Sequence, residues 1–169
     1  MRLFLFIALY ALSITLYAQE NIKEKRAGFK LVLAVDGSAF YESDIKPSAY
    51  LNGPNILQLY PGEEVFLEVE QINGIIKSIK TVKENKNPFK TIEASFAQNV
   101  EGQKHKGMTL QICNPFNMIL TYSAKMFLMK EDKWVNTDAL PVKDNLSSFE
   151  TWPDIIVTIA LNDWKFIKE

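Results

Sequence analysis

Apolar and polar residues alternate with a period of two along most of the chain. "FKLVLAVDG" puts Phe29, Leu31, Leu33 and Val35 on one face, and "EVFLEVEQ" sets Val65, Leu67 and Val69 against Glu64, Glu68 and Glu70. "TIEASFAQ" aligns Ile92, Ala94 and Phe96, and "MTLQICN" aligns Met108, Leu110 and Ile112. "ILTYSAKMFLM" aligns Leu120, Tyr122, Ala124, Met126 and Leu128, and "DIIVTIALN" aligns Ile155, Val157, Ile159 and Leu161. Successive side chains of a strand point to opposite faces, so each run reads as a half-buried strand. No segment carries the i, i+3, i+4, i+7 stripe of an amphipathic helix over about 11 residues.

Turn chemistry falls between these runs. "YLNGPN", "LYPGEE", "ENKNPFK" and "CNPFN" are Gly, Pro and Asn punctuation. Asn73-Gly74 between isoleucines predicts a hairpin, because a type I′ turn needs positive φ at both central positions. Simple pairing across it sets Glu70 opposite Lys77 and Leu67 opposite Lys80, an apolar–charged mismatch that a bulge would relieve. Straight pairing at the end of the chain puts Trp164 with Thr158, Ala160 and Asn162, away from the apolar face, unless a bend at Asn162-Asp163 turns it inward. Many short strands at regular spacing predict an all-β antiparallel sandwich of about 7–9 strands, immunoglobulin-like in architecture only. A small antiparallel β-barrel is the alternative. The stretch Val135–Asp154 reads as a long connection, and such loops are often functional.

The first residues change the picture of where the protein acts. Arg2, an apolar run from Leu3 to Leu16 and Ala18 have the order of a secretory signal peptide. The run is shorter than the roughly 20 residues that span a bilayer. The expected organisation is a signal peptide at 1–18, a polar and disordered lead at 19–27 and one β domain at 28–169, with no membrane span after cleavage. The chain has two Arg against 17 Lys and is rich in Asn and Ile. That suggests a bacterial source and a periplasmic or extracellular location.

Composition removes most chemistry. Cys113 is the only cysteine, so no intrachain disulfide forms, and its strand-like setting predicts a buried, inert thiol. His105 is the only histidine, flanked by Lys104 and Lys106 in "EGQKHKGM", which reads as a flexible exposed loop. One His and one Cys cannot build a zinc site, and no nucleophile elbow, phosphate loop or calcium loop occurs. Asp36, Glu42 and Asp44 read as an Asp-Gly turn. No catalytic residue, metal or cofactor is assigned, and the chain leans away from being an enzyme.

Residues 77–106 hold seven Lys against three Glu, while the rest of the mature chain is acidic. Such a segment either attracts anions or protects an edge strand with lysines. Nucleic acid is not an expected partner, since the chain is exported and acidic overall. The candidate binding residues are Trp152, Phe149 and Trp134, as aromatic surfaces, and Lys104, His105 and Lys106. Trp152 is held extended by Pro153 and is expected to close the end of the sandwich. The expected function is a non-catalytic binding domain engaging an envelope protein, a glycan or a lipid headgroup. A carrier with an apolar cavity and a hydrolase using acids from distant strands are the alternatives.

Overall fold

A computed structural model describes residues 25–167, so the expected signal peptide lies outside the described residues. Fourteen strands follow one another: β1 (Lys25–Arg26), β2 (Phe29–Ala34), β3 (Phe40–Ile45), β4 (Ser48–Ala49), β5 (Leu51–Asn52), β6 (Ile56–Leu59), β7 (Glu63–Ile72), β8 (Ile75–Val82), β9 (Thr91–Glu101), β10 (Lys104–Cys113), β11 (Ile119–Leu128), β12 (Lys133–Thr137), β13 (Ser147–Trp152) and β14 (Ile156–Ile167). The one helical element described is a 3₁₀ turn at Pro88–Lys90.

Two five-stranded antiparallel sheets face each other, ordered β13-β10-β9-β7-β8 and β12-β11-β14-β6-β5. Both are open at their edges, so the protein is a β-sandwich and not a barrel. Ten strands form the sandwich proper, more than the expected seven to nine, because the chain spends short segments as edges. The alternating faces meet as predicted: Leu67, Ile92, Phe96, Met108, Leu110, Ile112, Leu120 and Ile159 are all buried in one cluster. The Asn73-Gly74 turn has φ 53° and 83°. A bulge two residues along β8 then moves Lys80 opposite Glu68, where the two pair at 2.7 Å.

Two features of β14 depart from simple alternation. A bulge opposite Phe127/Leu128 turns Ile156 rather than Ile155 into the main core, and Val157 faces a second, smaller core with Leu31 and Leu33. A second bulge, with Asp163 at φ 56°, turns Trp164 inward. There its ring lies 5.2 Å from Tyr122 and its Nε1–H donates to the Asn55 carbonyl at 3.0 Å.

The β2–β3 hairpin lies beside the end where β7 begins and β9 finishes. Gln98 holds it in place, accepting from the Ala34 N–H at 2.9 Å and donating to the Ala34 carbonyl at 2.8 Å. The polar lead enters the domain earlier than its composition suggests. Arg26 is 3% exposed and forks onto Glu63 at 2.7 and 3.0 Å. It also donates to Ser48 Oγ at 2.9 Å and the Gln58 carbonyl at 2.6 Å, with the Tyr50 and Tyr60 rings at 4.6 and 4.9 Å.

The stretch Val135–Asp154 is not a structureless loop. It holds the end of β12, a bridge from Val142 to Leu120 and all of β13, which pairs with β10 from Met108↔Trp152 to Cys113↔Ser147. The chain crosses here from the edge of one sheet to the edge of the other. Only alternate residues of a short edge strand face the core, which is why this segment resembled a loop.

Candidate functional site

The sequence-derived candidates separate in space. Trp152 faces inward opposite Met108 and packs on the main core, as expected of a closing residue. Phe149 is 61% exposed on the outer face of β13. Trp134, 46% exposed, stands edge-to-face on Phe127 with centroids 5.6 Å apart. His105 is not on a flexible loop. It belongs to β10, where its Nδ1 accepts from Gln98 Nε2 at 2.9 Å and its Nε2–H donates to the Pro153 carbonyl at 2.9 Å. The tautomer follows from Gln98, whose NH₂ must donate because it also serves the Ala34 carbonyl. Lys106 pairs with Glu101 at 2.6 Å, and Lys104 lies against Gly37. These three residues sit at the β9–β10 turn, far along the sheet from Lys77 and Lys90. The lysine-rich segment therefore forms no single basic patch, and β8, with Lys77 and Lys80, is an edge strand.

Cys113 is half-buried on the outer face of β10, not in the core, and its Sγ accepts from Ser147 Oγ–H at 3.0 Å and from Gln111 at 3.3 Å. No group of three or more His, Cys, Asp or Glu side chains comes together among the described residues. Asp36 caps its own turn, accepting from the backbone of Ser38 and Ala39, which holds its carboxyl below the ordinary range. Glu150 is buried and accepts from Tyr122 Oη–H at 2.7 Å. Burial, and then this carboxylate, pushes the Tyr122 phenol well above its ordinary value. The pair faces the core beneath β13.

A different region gathers open space. β9 pairs with β7 only as far as Thr91↔Glu68, while β7 runs on to Ile72. Val69–Ile72 therefore has β8 on one side and no ladder partner on the other among the described residues. Three clefts of about 390, 500 and 330 Å³ join along this notch. The first two share Gln71 and Asn117, and the last two share Phe89, Pro115 and Asn145.

The walls of this trough are built from the Asn-rich turns. Asn114 is buried and staples one of them, donating to the carbonyls of Met118, Val142 and Lys143 and accepting from the Phe116 N–H. Its bonds fix Pro115 and Asn117 at the rim. The 3₁₀ turn forms the facing wall: Asn87 donates to Glu68 at 2.6 Å, and Phe89 projects from it 85% exposed. Asn145 sits at φ 52°, its N–H donating to the Phe116 carbonyl. The side-chain amides of Asn73, Asn117 and Asn145 make no hydrogen bond among the described residues. The trough thus offers uncommitted donors and acceptors, an aromatic face and an open strand edge. Its acids, Glu70, Asp144 and Glu93, outnumber its one lysine, Lys90.

Comparison with protein-family models, curated proteins and solved structures finds no match for this chain. The trough residues were missed in the sequence because each turn read as punctuation. The available signal was that three separate turns all carry asparagine and that "ENKNPFK" and "CNPFN" each place a phenylalanine after proline.

Proposed function

We propose that the protein is an extracytoplasmic binding domain with no catalytic role, and that it holds an extended ligand in the trough beside β7. The observation that carries this reading is the late start of β9, which opens a notch walled by rigid turns and topped by a solvent-exposed phenylalanine. Phe89 is the most exposed of the large apolar side chains among the described residues and stands at the rim of these clefts, whose size suits ligands. The placement outside the cytoplasm rests on the expected signal peptide. A carrier role has less support: the four clefts described open to solvent, and none is lined by the innermost residues such as Met108, Leu110 or Ile159. A hydrolase has less support as well, since the buried Glu150 is committed to Tyr122.

Site-specific photo-crosslinking tests the proposal. Benzoylphenylalanine at position 89 of the full chain, expressed in its own envelope, should give a discrete adduct by mass spectrometry. The same group at Phe40, on the β2–β3 hairpin, should not. Equal labelling at both positions, or none at 89, would end the reading.

A further inference from the structure

We infer that the ligand is an extended peptide segment that adds a strand to the free edge of β7 at Val69–Ile72. This rests on the reading of the trough as the binding site and names what that site takes. β9 separates β7 from β10 in the sheet. β10 ends at Cys113, level with Phe66 of β7, so beside Val69–Ile72 the sheet has neither β9 nor β10 and the facing wall is the turn that follows β10. The 500 Å³ cleft occupies this space, with Val69 and Gln71 on one wall and Pro115 and Asn145 on the other. The unpaired backbone of β7 supplies the main-chain donors and acceptors that strand addition uses.

Side-chain chemistry then sets preference. Alternate residues of an added strand would point outward, toward Phe89 and Glu70. The trough is acidic on balance, so a segment placing an apolar residue on Phe89 and a Lys or Arg near Glu70 or Asp144 fits best. Edge addition fits the backbone edge better than a glycan does, because a glycan would use the amides and Phe89 but leave unused the N–H and C=O groups that alternate residues of Val69–Ile72 turn away from β8.

The test uses a phage-displayed decapeptide library and, in parallel, a glycan array, both against the mature chain. Selected peptides should carry an apolar residue next to a basic one. N-methylation at alternate peptide positions should weaken binding about tenfold or more, and at intervening positions should not, since only every second amide faces the partner strand. The amides of the free β7 edge should gain hydrogen-exchange protection in the complex. Phe89→Ala and Glu70→Lys, both at exposed positions, should each weaken binding while leaving the melting temperature unchanged. Peptides insensitive to N-methylation, or protection confined to another edge, would overturn the inference. Glycan binding lost in Phe89→Ala, without peptide binding, would overturn it and leave the proposed function standing. No binding of either class would remove both.

Discussion

Replacing Arg26 tests how far the domain depends on a residue that its sequence context marks as part of a polar tail. The guanidinium donates four hydrogen bonds, two of them to Glu63, and is almost fully enclosed. The Glu63 side chain is only 11% exposed and also accepts from the Tyr60 N–H at 2.8 Å. Arg26→Met would strand that carboxylate without its cation. Breaking one partner of a buried ion pair costs about 3–5 kcal/mol, whereas replacing both by apolar groups is often near neutral. For a domain of this length, about 2–4 °C of melting temperature goes with each kcal/mol, so the single variant should melt roughly 6–20 °C lower. Arg26→Lys should fall between, since an ammonium cannot reproduce the fork. Urea titration followed by tryptophan fluorescence, with Trp164 in the core as reporter, gives the free energies. The double variant Arg26→Met/Glu63→Met should recover much of the loss. A single-variant cost below about 1 kcal/mol, or strict additivity of the two substitutions, would refute the account.

Three further outcomes are expected. Gln98→Ala should strand the Ala34 N–H and C=O, cost about 1–3 kcal/mol, and speed hydrogen exchange in β2–β3 more than in β9–β10. Trp152→Ala should cost about 3 kcal/mol in urea titration, the low end for a buried tryptophan because the ring is only partly enclosed, and should leave ligand binding at the trough intact. Glu68, held below its ordinary 4.5 by hydrogen bonds from Lys80 and Asn87, contributes stability that is present above that value and lost as pH falls below it. Lys80, raised above 10.5 mainly by Glu68, loses its share only as pH rises past that point. Lys80→Met should therefore flatten both limbs of the stability–pH curve by about 0.2–1 kcal/mol, measured by thermal melts across the range.

The strand faces of the sandwich were legible because burial on one face imposes a period of two, and the inward faces of β7, β11 and the inner stretches of β9 and β10 follow it. What failed was local. Val157 and Asp163 occupy bulges, and one extra residue reverses the facing of everything beyond it. Arg26 looked like solvent-facing charge because its partners, Ser48, Gln58 and Glu63, lie 22 to 37 residues away. His105 looked mobile between two glycines for the same reason: Gln98 and Pro153 hold it from other elements. The trough was missed because it results from a strand that starts late, and the asparagines and Pro-Phe pairs that wall it read as ordinary turn punctuation. Trp152 was legible as a packing residue through Pro153, whereas straight parity put Trp164 on the outer face and only the Asn162-Asp163 pair hinted at the bulge that turns it inward.

The position of β14 has a consequence for the order of events in the cell. It is the last described strand, yet it lies in the middle of its sheet, between β11 and β6, and Val157 also joins the second core. A growing chain that ends before Ile155 has two half-sheets with nothing between them and two cores each missing a wall. Long-range pairings of this kind form late and slowly. Synthesis alone thus delays closure of both cores until Ile156–Ile167 has been made, and makes any product terminated before Ile155 a substrate for proteolysis.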